Sequence, residues 1–382
     1  MDTMTHTPTD IDTDLDDELL SELAELDAAH DRDGTYVADE VETLRARGWL
    51  ALPVPTELGG SGLPIRGVVE RQRVLAAWAP NAALVTCMHH HVVLAAAWRW
   101  RHGADAAAGM LRRVADEGLF VASTGGGDFT TPQGTAFPVD GGWQISGRKR
   151  FVSGAMTAGA MNTWVLDGST GGAEAIAVAI PMSADGVRVE ETWDSLGMRG
   201  TGSHDVVLTE VVVPEAAVAA RRPIGELHPS LQSIAAHAFP VIMSVYLGIA
   251  DRARTELVGM LAGRSGAADD PGVQRLVGEV DQHLATADWV LRGLVDEIGD
   301  DVTPSPEQFT RVMLAKRSIT GNVRAAADRM MEAAGGAAYA RRFPLERALR
   351  DLWGAPFHPL TGEQTLRIGG AAAMGLDPAL GL

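Results

Sequence analysis

Histidine is the side chain best suited to moving protons near neutral pH, and here it occurs in two informative settings. His89, His90 and His91 stand consecutively in an otherwise apolar run from Ala82 to Trp98. On a helix consecutive positions point about 100° apart, so the three imidazoles cannot converge on one metal ion. One of them, His91 or His90, is expected to face inward, and a hydrogen-bonded structural histidine is the ordinary reading of each. His358 lies in the segment GAPFHPL, between Pro356 and Pro359, where restricted backbone aims one side chain. With an ordinary pKa near ~6.5 it would both give and take a proton, and it is the best single catalytic candidate. The run GRKRF (Gly147 to Phe151) places three cations in a strand, where alternation sends Arg148 and Arg150 to one face and Lys149 to the other. A solvated face is the default for such a run, and binding of nucleotide phosphates is the sharper alternative. Ser123, Thr124, Ser153, Thr201 and Ser203 are hydroxyls at strand ends or glycine turns, a set suited to a large heteroaromatic ligand with many acceptors, such as a flavin. A G-x-S-x-G elbow and an H-E-x-x-H pair are absent, so serine-hydrolase and zinc-protease chemistry find no support, and no metal is expected.

Three textures along the chain must position these groups. From about Asp14 to Gly118 apolar residues recur at helical spacing, as in Leu19, Leu20, Leu23 and Leu26. The turn-rich stretch Pro53 to Pro64 interrupts them; its Gly59, Gly60 and Gly62 could cradle a phosphate, but without Lys or Arg inside the loop a surface connection is the better reading. From Leu119 to Pro214 the period becomes two, giving about seven short strands for a compact barrel or sandwich. Gly125 to Gly127 approach a dinucleotide fingerprint, but they precede strands rather than opening a helix, which argues against a Rossmann domain. From Arg222 the helical period returns, with helices expected over Ile234 to Leu261, Val273 to Ile298, Pro306 to Ala334, Pro344 to Trp353 and around Thr365 to Met374, as in an antiparallel bundle. The fold class is therefore α+β: an N-terminal helical domain (1–118), a central β domain (119–218) and a C-terminal helical bundle (219–382).

Composition bounds the partners. The 382 residues carry 50 acidic against 32 basic side chains, a formal charge of −18 that argues against nucleic-acid and anionic-membrane partners. Only Lys149 and Lys316 are lysine, a skew read as coding bias rather than chemistry. The single cysteine, Cys87, excludes a disulfide framework, and the acidic, polar first residues do not resemble a signal peptide. No apolar run is expected to reach the ~20 residues of a membrane span. The expectation is a cytoplasmic protein.

Five segments, in order, resemble the acyl-CoA dehydrogenase superfamily of flavoproteins: GWLALPVPTELGGSGLP, FVASTGGGD, GRKRFVSGA, LGMRGTGSHDVVLTEVVVPE and MMEAAGGAAYARRFPLERALRD. The likeness spans nearly the whole chain from about residue 35. It implies FAD, with FMN as the alternative, lying between the β domain and the bundle at a subunit interface of a homodimer or homotetramer. Carried over by position, Ser123 and Ser153 would hydrogen-bond the isoalloxazine, and Phe151 would stand where the family usually has Trp. Arg264 and Gln274 would reach the pyrophosphate from the neighbouring subunit, with Gly335 and Gly336 allowing close backbone approach. The segment after Arg264, SGAADDPGVQ, lacks the usual aromatic and carries two acids, which brings FMN into consideration.

The departure concerns catalysis. The family's dehydrogenases take an α-proton with a glutamate, but that position falls on Pro359, and the alternative position falls near His237 and Ala238. One reading is therefore α,β-dehydrogenation of an acyl thioester, its electrons passed to an electron-transfer flavoprotein and its proton taken by His358, His237 or Glu363. The other resembles the two-component flavin monooxygenases of the same superfamily, such as the dibenzothiophene monooxygenases, which take reduced flavin from a reductase and use a flavin hydroperoxide. There His358, with a second histidine near His91, would stand beside the reacting oxygen. A non-catalytic member of the fold is a third reading. The dehydrogenase-type description is the broader expectation, with oxygenation as the alternative. Were CoA bound, Arg221, Arg222 and Arg341 would be the donors to its phosphates.

Overall fold

The computed structural model describes residues 15–124 and 126–381; the acidic first residues and Gly125 lie outside them. Five helices come first: α1 (Asp17–Asp33), α2 (Ala38–Ala46), α3 (Ile65–Trp78), α4 (Pro80–Arg101) and α5 (Ala107–Glu117). Asp16 caps α1 by accepting from Leu19 N–H at 2.8 Å, and Gly34 ends it in the left-handed conformation. The α4 run is apolar on every side because it is buried on every side, against α3, the sheet and the bundle. The Pro53 to Pro64 stretch is a connection packed under α5, with Gly59 beside Ala115 and Asp116, and it lines neither of the two cavities described below.

Eight strands follow: β1 (Val121–Ser123), β2 (Thr135–Val139), β3 (Gly142–Val152), β4 (Ala160–Asp167), β5 (Glu174–Pro181), β6 (Val187–Glu190), β7 (His204–Pro214) and β8 (Val218–Pro223). They form one sheet in the order β6-β7-β3-β2-β4-β5-β8, with β1 parallel to β4. Alternation along β3 holds: Lys149 is fully buried while Arg148 and Arg150 are exposed. The eighth strand, VAARRP, carries small and charged residues rather than β-branched ones, so its sequence gives no alternating signal. Its pairing with β5 carries the sheet to Pro223, past the expected boundary at 218.

The bundle comprises α6 (Pro229–Ala262), α7 (Pro271–Ile298), α8 (Pro306–Ala334), α9 (Pro344–Leu352) and α10 (Gly362–Ala373). Each of the first four begins with proline, whose missing N–H costs nothing in the first turn. Asp270, Ser305 and Thr361 cap α7, α8 and α10. An 18-residue window of α6 is apolar enough to span a bilayer, contrary to the expectation from the sequence, but 94% of that window is buried inside the protein.

An acid–arginine cluster fixes α4 and α9 relative to one another. Asp27 of α1 accepts from the N–H groups of Asn81 and Ala82 at 3.0 and 3.1 Å, the start of α4, where a carboxylate suits the helix dipole. Asp27 also meets Arg347 of α9, and Asp31 takes both ends of Arg350 at 3.0 and 2.7 Å. Nearby, Glu40 is buried, its carboxyl oxygens without a well-formed hydrogen bond and one of them 3.3 Å from His30 Nε2. Burial first, then the charges of Asp27 and Asp39, push its pKa up to about 8. The folded chain therefore keeps a proton that the unfolded chain, with Glu40 at its ordinary 4.5, releases, so stability falls as pH rises from 4.5 to 8. Glu40→Gln is expected to raise the melting temperature by several degrees at pH 8 and by little at pH 5, as measured by thermal unfolding at both pH values.

Candidate active site

A cavity of about 470 Å³ opens where α4, the strand ends, α6 and the segment after α9 meet. Leu84, Met88, His91, Val92 and Ala95 recur at three- and four-residue steps and form the α4 wall. Ile234, Ala238, Phe239, Ile242 and Tyr246 do the same from α6. Ala238 lines the space, while Ala235 and Ala236 are buried away from it. The sheet contributes Ser123, Thr124, Phe151, Ser153 and Thr163, and the loop before β7 contributes Trp193 and Ser203.

The three histidines of α4 divide their work. His89 takes the Val121 N–H on Nδ1 at 3.0 Å, so its proton sits on Nε2, which donates to Leu50 O at 3.0 Å. His90 contacts Trp49 O at 2.7 Å and the Gln72 amide at 2.8 Å. Both are structural, tying α4 to the segments beside it. His91 faces the cavity, its Nε2 3.0 Å from Ser123 Oγ; since Ser123 gives its proton to Met88 O at 3.3 Å, its oxygen accepts from His91. Burial, with the neighbouring His237 and His89, lowers the pKa of His91 to about 3.

His358 follows a short turn, Ala355–Phe357, and its Nε2 lies 2.7 Å from the hydroxyl of Tyr246. Burial and then the charge of Lys316 lower its pKa to about 3, and burial pushes the Tyr246 phenol up. His358 is therefore neutral at pH 7, in place of the ordinary proton shuttle its sequence setting suggests. Lys316 of α8 donates to the carbonyls of His358 and Leu360.

The aromatic side of the cavity carries strain. Phe151 adopts a left-handed backbone (φ 59°) and leaves its ring 60% exposed, 6.1 Å from the Trp193 ring and edge-on to it. Hydroxyls bracket it: Ser153 bonds Ser203 at 2.8 Å, and Thr124 bonds Thr163 at 2.6 Å. Exposed aromatic surface beside a rim of hydroxyls suits an isoalloxazine, which needs apolar contact on its faces and donors along its heteroatom edge. Beneath this wall Lys149 is buried against Asp128 at 2.9 Å, and Arg148 pairs with Asp205 and Glu190, so neither is free for a phosphate. Arg150 lines a neighbouring space of about 360 Å³, which shares Thr124, Gly126 and Phe151 with the main cavity.

The cavity thus brings together His91, His358, Ser123, Phe151 and Ser153. Glu363 is not there: Thr361 starts α10, so Glu363 falls on its exposed first turn. Arg264, Gln274, Gly335 and Gly336 also line neither space. They sit exposed at one end of the bundle, about 27 Å along α8 from Lys316. There Arg264 caps the α8 carbonyls of Ala333 and Ala334, and Gln274 donates to Ala268 O at 2.7 Å. Two of the three expected CoA donors are committed elsewhere too, and the third, Arg341, is exposed and lines neither space. Arg221 pairs with Glu215 at 2.9 Å, and Arg222 is buried over Trp164, donating to the carbonyls of Phe129 and Thr130. Tyr246, Trp193, Thr163 and Lys316 are site residues to which patterning gave no role: Tyr246 and Thr163 are polar-tipped residues in apolar elements, Trp193 lies in an irregular loop, and Lys316 is one of several cations on α8.

Helices on either side of a β unit, with a hydroxyl-rimmed aromatic cavity between them, define a flavin-binding oxidoreductase. Residues 122–211 match the middle domain of acyl-CoA dehydrogenases, and residues 241–361 match their C-terminal domain. The indole-3-acetate monooxygenase of Pseudomonas putida is 30% identical over 266 residues, 65% of this chain and 67% of that protein. The L-evernosamine nitrososynthase of a Micromonospora species is 28% identical over 369 residues, 92% and 86% of the two chains. Among solved structures, KijD3 in complex with FMN and a dTDP-linked amino sugar superposes with a TM-score of 0.85 at 26% identity, covering 94% of this chain and 91% of that one. The dibenzothiophene monooxygenase of Paenibacillus gives 0.81 at 25% identity, covering 94% and 96%. The chain belongs to the acyl-CoA dehydrogenase superfamily. It is a flavin-dependent oxidoreductase, its cofactor FAD or FMN.

Proposed function

We propose that this chain is a monooxygenase that uses reduced flavin supplied by a separate reductase and acts on a small, uncharged, largely apolar substrate. The observation that carries this reading is the set of titratable groups on the cavity wall: two neutral histidines, a tyrosine and no carboxylate among the described residues. Removing the α-proton of an acyl thioester needs a base of adequate strength. An imidazole held near 3 is a poor one, and Pro359 stands on the wall where the family's glutamate would be. No arginine or lysine lines the main cavity, which argues the same way against a CoA or nucleotide phosphate held within it.

Bound reduced flavin would supply the electrons that activate dioxygen. The protein's part is to keep that chemistry dry and oriented. The apolar faces of α4 and α6 exclude water. Phe151 and Trp193 would contact the flavin ring, with Ser123, Ser153 and Thr124 along its polar edge. His358, held against Tyr246, would place a neutral hydrogen-bonding group beside the reacting oxygen, with His91 on the opposite wall. Arg264, Gln274, Gly335 and Gly336, exposed together, suit a homodimer or homotetramer in which they reach a neighbouring subunit's flavin phosphates.

The test combines the protein with a flavin reductase, NADH and oxygen, and screens neutral ring compounds for oxygenated product. Product that depends on the reductase is expected, and acyl-CoA esters should leave the oxidised flavin unbleached under anaerobic conditions. Bleaching by any acyl-CoA ester contradicts the reading.

A further inference from the structure

The basic side chains of this protein are arginine everywhere except at Lys149 and Lys316. Both lysines are buried, and both donate to main-chain carbonyls beside the cavity: Lys149 to Gln133 and Trp164, Lys316 to His358 and Leu360. The skew is thus more than coding bias at these two positions. A compact ammonium brings three donors from a single atom onto converging carbonyls in a small buried space. The two sites differ in one respect. Lys149 has Asp128 as its counter-ion, whereas Lys316 has no carboxylate within ion-pair distance among the described residues. The Phe239 ring lies beside it, its centroid 5.8 Å away.

A buried ammonium without a counter-ion is costly. Packing α8 against its neighbours would be served better by an apolar side chain of the same length, so the charge calls for an explanation in what it holds. It holds the two carbonyls on either side of Pro359, in the one segment that carries His358 to the cavity.

We propose that Lys316 is a positioning residue for oxygenation: its ammonium grips the His358 and Leu360 carbonyls and seats the imidazole against Tyr246. The proposal rests on the reading of His358 given above. The titratable groups facing the imidazole are Tyr246 from α6, His91 from α4 and Lys316 from α8; Asp351 of α9 acts on Tyr246. Lys316 is the cation in this set, and its charge opposes protonation of the ring. Without it the pKa of His358 would rise, with burial still holding it down, and a protonated imidazole could only donate to Tyr246.

Lys316→Met keeps the length and removes charge and donors. The variant should bind reduced flavin as the parent does, while the ratio of product to oxygen consumed falls about tenfold as the histidine loses its placement. The His358 ring resonance, assigned by its loss in His358→Gln, should not titrate above about pH 5 in the parent and should titrate at a higher pH in the variant than in the parent. An unmoved titration with an unchanged product ratio overturns the proposal. Should Lys316→Met fail to fold, the parent alone decides. Burial lowers Lys316 to about 8, so the product ratio should fall as pH rises through 8; a ratio flat across that range overturns the proposal. If His358→Gln makes product as well as the parent, the reading of His358 fails, whereas a tenfold loss in His358→Gln with none in Lys316→Met rejects the role of Lys316 alone.

Discussion

His358→Ala is expected to fold, to bind flavin and to consume oxygen, yet to lose product formation by about 10²–10⁴-fold, the range for a positioned hydrogen-bonding or acid–base group. The expectation follows from where the side chain stands. His358 lines the cavity without being part of the hydrophobic core, so its loss removes a polar contact to Tyr246 rather than packing. The sheet-side hydroxyls and the Phe151 ring, which would hold the flavin, are untouched. Electrons should still reach oxygen, but they should leave as hydrogen peroxide instead of ending in product. Measuring product, oxygen uptake and peroxide in one assay separates this outcome from a general loss of activity. An alanine variant that makes product at the parental rate removes His358 from the mechanism.

The largest effect on stability is expected at Asp128. Its carboxylate accepts from Lys149 Nζ at 2.9 Å, Thr163 Oγ1 at 3.1 Å and Gln133 N–H at 2.7 Å, all beneath the cavity wall. Asp128→Leu would strand a fully buried lysine with carbonyls alone. Breaking a buried pair from one side costs about 3–5 kcal/mol, which corresponds to a melting temperature lower by about 10 °C. Replacing both partners, as in Asp128→Leu with Lys149→Met, removes the stranded charge and should recover most of the loss. Calorimetry on the two single variants and the double variant checks this. A double variant no more stable than Asp128→Leu contradicts the account of this pair.

The helix–sheet–helix order and most element ends are legible in the sequence because local chemistry punctuates them. Ser305 and Pro306 open α8 and Gly335 closes it, at the residues the pattern indicates. β8 is hidden because VAARRP holds its place by pairing with β5 rather than by any alternation of its own. Within the site, His358 stands out through its prolines, and Ser123, Ser153 and Phe151 through their likeness to a family. Tyr246 gives no such signal: it is one residue of a 34-residue helix buried along most of its length, and only the fold brings its hydroxyl to a histidine 112 positions away. Glu363 illustrates the converse. Near His358 in sequence, it is turned outward because Thr361 begins a new helix. The low pKa values of His91 and His358 are equally out of reach of the sequence, since burial first, and then charges brought near by the fold, set them.

The most direct test of oxygenation against dehydrogenation needs no knowledge of the substrate. The protein is loaded with flavin, reduced without oxygen, mixed rapidly with oxygenated buffer and followed by absorbance. The account predicts a species distinct from both reduced and oxidised flavin, persisting before the oxidised spectrum appears and shortened in lifetime by His358→Ala. Direct, slow, single-phase return to oxidised flavin, together with reduction of that flavin by an acyl-CoA ester, would contradict it.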